Sequence, residues 1–226
     1  MDVRGIDGSG AERFAVPLPH GADPTVVAYE QGWVVERPVD AHRRADGELV
    51  LSFSVRPVGA DPRPVQRPSG RDAGLVLAPG EEPVVRQRVA AYGVVLSERG
   101  LLATQYSDRT AVEGRWGMPG GGIDAGEEPV DAVIREVREE TAQVVELGDL
   151  VTVQTSHWIG RSPSRHVEDF HAVRLVYEAT CAHPGDPVVL DVGGTTAAAR
   201  WVALSDWRSV SWTVNWRDAL ERLLPR

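Results

Sequence analysis

Residues 82–226 are predicted to form an α/β domain, and residues 1–81 a smaller β-rich extension ending in a linker. Three observations carry that prediction. Runs rich in Val, Leu and Tyr recur at 84–96, 101–106, 144–155 and 170–181, as strands do. A glycine-rich stretch at 107–127 feeds one amphipathic helix that starts at Pro129, a favourable first helical position. Trp212, Trp216, Leu220 and Leu223 then recur at helical spacing near the end of the chain, after a last strand at 199–204.

In chain order, the first twenty residues are rich in Gly and Asp, show no period and are expected to be frayed. From Thr25, Val26, Val27 and Tyr29 read as strand, followed by Trp33, Val34 and Val35. Leu49, Leu51, Phe53 and Val55 alternate with Val50, Ser52 and Ser54 behind an Asp46-Gly47 turn. Residues 25–56 are therefore expected to form a hairpin or small meander. Pro57, Pro62, Pro64, Pro68 and Pro79 mark 57–82 as a linker or an extended wrapping segment. Residues 156–169 are expected to be a polar loop between two strands.

Composition excludes several classes. The 226 residues carry 33 acidic and 24 basic side chains, a net charge of −9, which disfavours binding to nucleic acid or an anionic membrane. No run approaches the roughly 20 apolar residues of a membrane-spanning helix. The first residues have neither the cationic nor the apolar part of a signal peptide, so a cytoplasmic address is expected. The lone Cys181 excludes an internal disulfide and reads as a core residue. Every basic residue is Arg; without Lys there is no Walker-type phosphate loop and no Schiff-base chemistry.

The chemistry lies in residues 121–143, GGIDAGEEPVDAVIREVREETAQ. At about 100° per residue, Val130, Val133, Ile134, Val137 and Thr141 point to one side, expected to be the core. Glu136, Glu139 and Glu140 share an arc of about 100° on the other side, where like charges repel. A hard divalent cation relieves that crowding. Mg²⁺ is commonly held by a few carboxylates together with substrate phosphate oxygens, so the pattern points to a phosphate-bearing substrate. Taken alone, the same glutamates also read as a solvated acidic face, with Arg135 and Arg138 as ion-pair partners.

These residues resemble the Nudix box, Gly-x5-Glu-x7-Arg-Glu-U-x-Glu-Glu-x-Gly-U, where U is a bulky aliphatic residue. Gly121, Glu127, Arg135, Glu136, Val137, Glu139 and Glu140 match in register, and Arg115-Trp116-Gly117-Met118-Pro119-Gly120 resembles the usual lead-in. Two positions depart: Ala142 stands in place of Gly, and Gln143 in place of an aliphatic residue. A glycine there closes the helix in a left-handed conformation, so with Ala the helix is expected to run on or turn differently.

The resemblance implies an α/β/α sandwich with a mixed sheet, and hydrolysis of a diphosphate linkage in a nucleoside diphosphate derivative by water attack on phosphorus. It implies Mg²⁺ or Mn²⁺ held by Glu136, Glu139 and Glu140, with the Gly120 carbonyl as a further ligand and Glu136 cast also as general base. Glu127 and Arg135 would pair to orient loop and helix, with Gly121 as a structural glycine. Relatives differ in their base, so Glu168 and Asp169 are alternatives. Arg115, Arg161 and Arg165 are candidates for gripping phosphates and Trp158 for stacking on a base. The rival reading is a Nudix domain that binds a nucleotide or ADP-ribose-like effector as a sensor without cleaving it. The extension is left with three roles: packing, substrate binding or assembly of a homodimer.

Overall fold

In the computed structural model, residues 1–66, 68–162 and 166–224 are described. The chain divides into two compact units, Met1–Ala90 with Thr152–Leu175, and Ala91–Val151 with Val176–Arg226. Three long strands, β6 (Val84–Ser97), β10 (Glu146–Arg161) and β11 (Val167–Thr180), contribute residues to both.

The first unit contains a four-stranded sheet in the order β2-β1-β4-β3: β1 (Asp2–Ile6), β2 (Glu12–Pro17), β3 (Trp33–Arg43) and β4 (Leu49–Pro57). The N-terminal residues are thus strands and not frayed. β1 runs parallel to β4 (Val3 opposite Leu51) and antiparallel to β2, and Val3, Leu51, Phe53 and Val55 are buried. The Val26-Val27 run is a helix, α1 (Pro24–Glu30), and not a strand. The preceding residue explains the difference: Asp23 accepts from the Thr25 N–H at 2.9 Å as N-cap, and Pro24 occupies the first helical position. Pro57 ends β4, and among the described residues that follow it in the 57–82 segment Gly70–Arg71 forms a strand, β5, paired in parallel with Trp158 and Ile159 of β10.

The second unit shows the expected α/β/α layering on the alternation of β6. Gly93 faces α2 (Pro129–Thr141): a Cβ there would stand 3.3 Å from a Val133 methyl. The opposite face, Tyr92, Val94 and Leu96, packs with Met118, Trp207, Trp212, Trp216 and Leu220, the last two on α3 (Val214–Leu223). Trp212 and Trp216 are therefore core residues, as their spacing predicts, and Cys181 is buried. β7 (Gly100–Tyr106) pairs with β6, and β12 (Thr196–Val202) pairs antiparallel with β7. The parallel β5–β10 pair makes the larger sheet, ordered β12-β7-β6-β11-β10-β5, mixed. The glycine-rich stretch is not all loop, since β8 (Trp116–Gly117) pairs with β7 and β9 (Gly120–Gly122) with β6.

The buried stripe of α2 is rotated from the predicted one. Ala132, Val133, Val137, Glu140 and Thr141 are buried, whereas Val130 in the first turn and Ile134 are exposed. Ile134 instead lines an open groove with Leu190.

The helix stops on schedule despite Ala142. That residue takes the left-handed conformation (φ 57°, ψ 17°), and its N–H donates to the Arg138 carbonyl at 2.9 Å. Among the described residues it is the sole non-glycine with positive φ. Gln143 closes the turn: its Nε2 donates to the Thr141 carbonyl, and its Oε1 accepts from the Gly185 N–H at 2.9 Å. An aliphatic side chain would leave that amide unpaired. A non-glycine in this conformation costs about 1–2 kcal/mol, partly offset by the extra unfolded-state freedom of glycine. Ala142→Gly is therefore expected to stabilise the fold by about 0.5–1 kcal/mol. The check is a urea melt with a raised midpoint and unchanged slope.

Candidate functional site

The box residues converge in the second unit because β9 and α2 pack together. Gly121 leaves room for a carboxylate: a Cβ there would overlap Glu136 Oε1 and lie 2.6 Å from its carboxyl carbon. Gly120, at φ +146°, donates its N–H to Glu140 Oε2 at 2.9 Å.

Arg135 organises the cluster. Its Nε and Nη2 clasp the two oxygens of Glu127 at 2.8 and 2.9 Å, and its Nη2 also donates to the Gly122 carbonyl at 3.1 Å. Its Nη1 donates to Glu136 Oε1 at 2.8 Å and Glu139 Oε2 at 3.2 Å. Three carboxylates thus share one guanidinium, and hydrogen bonds from it to Glu127 and Glu136 raise its pKa further. Burial pushes the Glu136 carboxyl above its usual range against the pull of Arg135, and Glu139 and Glu127 add to the rise.

Glu140 is placed differently from its two companions. It is only 7% exposed, and its Oε1 accepts from the Thr196 hydroxyl while its Oε2 takes the Gly120 amide. Burial raises its pKa to about 7; Thr196 and Gly120 pull it down, and Glu136 and Asp191 push it up. Both oxygens are thus fixed by protein donors, one of which, Thr196, lies 56 residues further along the chain. Nothing in the local pattern around the helix marks Thr196. An open groove of about 400 Å³ runs beside Glu139, lined by Asp131, Ile134, Arg135, Arg138 and Leu190.

Arg115 also belongs to the second unit; it is exposed and its Nη1 donates to Ser211 Oγ at 2.8 Å. Arg161, Trp158, Glu168 and Asp169 belong to the first unit, each with its own partners. The expected 156–169 loop is mostly strand: β10 runs to Arg161 and β11 begins at Val167. Trp158 is consequently a strand residue, packed edge-to-face on Phe170 at 4.9 Å with its Nε1 on Asp72. Arg161 is engaged by both oxygens of Glu81, at 2.9 Å each. Glu168 is buried and paired with Arg86 at 3.0 Å. Asp169 accepts from His20 and His157. Arg165 lies outside the described residues.

Residues 86–222 match the family model for the NUDIX domain. An RNA pyrophosphohydrolase of Rhodopseudomonas palustris is 36% identical over 96 residues, 38% of this chain and 53% of that protein. The nucleoside triphosphatase NudI of Salmonella typhimurium is 26% identical over 102 residues, 44% of this chain and 72% of that protein. The chain spans 22–53% of the length of the RNA pyrophosphohydrolases it matches. Among solved structures, a MutT NUDIX hydrolase from Burkholderia pseudomallei aligns at a TM-score of 0.48 with 29% identity, covering 61% of this chain and 98% of that one. Among the described residues, no helix is long and apolar enough to cross a membrane.

Proposed function

The chain belongs to the Nudix hydrolase family, whose members generally use divalent metal ions, and on that premise we propose that it hydrolyses a diphosphate linkage in a nucleoside diphosphate derivative. The substrate classes are a nucleotide, a nucleotide sugar or a dinucleotide. The observation that carries this reading is the pair of Glu136 and Glu139 oxygens on one Arg135 nitrogen, with Gly121 leaving the space that the Glu136 carboxylate occupies.

The residues fit a hard divalent cation. The donors are all oxygen, and three carboxylates are set against one guanidinium. The raised pKa of Glu136 and of Glu140 reflects desolvated negative charge that a cation would offset. Mg²⁺ or Mn²⁺ would be held by Glu136, Glu139 and Glu140, with the Gly120 carbonyl. When bound, such an ion lowers the pKa of the attacking water and neutralises phosphate charge.

The remaining work falls to the chain. Arg135, clamped by Glu127, fixes the Glu136 and Glu139 carboxylates so that no reorganisation is needed when charge builds on the phosphate. Glu136 takes the proton from the attacking water as general base. Arg115 and Arg138 meet the phosphates. Arg161 is already neutralised by Glu81, so it serves the first unit's own structure. A homodimer and a cytoplasmic setting belong to the same reading.

The test is phosphate liberated from the products by a coupled phosphatase or pyrophosphatase, across nucleoside triphosphates, ADP-ribose, sugar nucleotides, NADH, coenzyme A, dinucleoside polyphosphates and 5′-triphosphorylated RNA, with and without Mg²⁺. The last joins the panel because of the relatives' names. Metal-dependent cleavage of one class is expected. Tight nucleotide binding without cleavage of any class would favour the sensor reading and overturn this one.

A further inference from the structure

Two strands and a turn of the first unit bring three donor atoms together. On β10, Thr155 and His157 are two residues apart and share a face; on β11, Asp169 and His171 do the same. The turn before α1 brings His20 to them. His20 Nε2 lies 3.0 Å from Asp169 Oδ1, and His157 Nε2 meets the same oxygen. The three atoms all lie within 4.8 Å of one another. The residues come from positions 20, 157 and 169, and every one belongs to the first unit.

We propose that His20, His157 and Asp169 form a metal site for a late first-row divalent cation, with Zn²⁺ preferred over Mg²⁺. The proposal is independent of the function assigned to the glutamate cluster. Two imidazole nitrogens and one carboxylate oxygen are borderline donors that suit Zn²⁺ and its neighbours, whereas Mg²⁺ takes oxygen. A tetrahedral ion with bonds of about 2.0–2.1 Å has ligand–ligand edges of about 3.3 Å, close to the His20–Asp169 separation. Three protein ligands leave a fourth position for water or a ligand group. The side chains are 25%, 20% and 24% exposed, sheltered yet open to an ion from solvent.

The surroundings hold the donors in place, as the outer shell of a metal site does. Gly21, at φ +74°, leaves the space that the His157 ring occupies; a Cβ there would stand 2.6 Å from Nδ1. Asp23 caps α1 with one oxygen and takes the Thr155 hydroxyl with the other at 2.8 Å, which fixes the turn against β10. His171, fully buried, packs edge-on against His20 at 5.5 Å and His157 at 6.3 Å. Gln87 of β6 holds its Nδ1 at 2.9 Å, and its Nε2 makes no hydrogen bond among the described residues.

The experiment uses the full chain, stripped with a chelator and titrated with Zn²⁺ against a chromophoric competitor in excess Mg²⁺. One equivalent should bind, and Co²⁺ in its place should give visible bands of nitrogen coordination. His157→Ala and Asp169→Asn should each weaken that equivalent by about 100-fold or more, while Glu136→Gln leaves it intact. Absence of Zn²⁺ binding by the wild-type chain overturns the proposal and leaves a hydrogen-bonded His–Asp–His cluster. Equal loss of binding in Glu136→Gln overturns it in favour of the glutamates. If His157→Ala fails to fold, His20→Asn in the turn decides: unchanged Zn²⁺ affinity there overturns the proposal.

Discussion

Glu136→Gln is expected to lower metal-dependent hydrolysis by about 10²–10³-fold, as the loss of one charge-stabilising group does, with little change in fold. The amide keeps the shape of the carboxyl, and its oxygen still accepts from Arg135 Nη1, a contact now at 2.8 Å. The negative charge and the proton-accepting capacity disappear. Glu139→Gln should behave similarly through charge alone, because its oxygen shares the same Arg135 nitrogen at 3.2 Å. The pair separates two roles. A general base leaves its mark on the pH profile, so Glu136→Gln should remove the acidic limb of kcat/KM, while Glu139→Gln should depress the whole profile. Steady-state rates across pH, with circular dichroism as the folding control, make the check. Rates within a factor of a few of wild type in both variants would remove the glutamate pair from the chemistry.

What was legible in the sequence is what a local pattern can encode. The spacing from Gly121 to Glu140 brings β9 and α2 together because the partners that join these two elements lie within twenty residues, and helix geometry relates the positions. The strands β6, β7 and the Trp212–Trp216 core were visible for the same reason. The missed features have distant partners. β1 is ordered because it pairs with β4, Asp2 lying opposite Val50, and no local period signals that. Helix geometry alone puts Glu140 on the open face, but Thr196 and the Gly120 amide draw it into the core. His20 gains meaning only beside His157 and Asp169. Where a local signal was overridden, another local signal did it: Asp23-Pro24 caps a helix through Val26-Val27, although β-branched residues favour strand. The polar content of 156–169 suggested a loop, yet polar residues sit readily on one face of a strand.

Gly120→Ala is expected to be the most destabilising single-methyl change at the site, by about 3 kcal/mol or more, from backbone strain added to overpacking. Its φ of +146° is open to glycine and closed to L side chains without strain. The methyl group would also overlap the Ala91 carbonyl oxygen and approach Tyr92 Cα to 2.6 Å. Both obstacles are backbone of β6, which cannot rotate aside as a side chain can. Relief requires β9 to move off β6, and that motion withdraws the Gly120 N–H from Glu140. A buried carboxylate would then lose one of its two donors while remaining desolvated. Gly121→Ala differs in an informative way, since its methyl would meet the far end of the Glu136 side chain. That carboxylate can swing away at small cost to the fold but at the expense of its place on Arg135. Chemical denaturation with rate measurements should therefore separate the two: Gly120→Ala loses stability first, and Gly121→Ala loses turnover with most of its stability retained. Wild-type stability for Gly120→Ala would show that β9 is not held against β6 as described, and with it the Glu140 arrangement would fall.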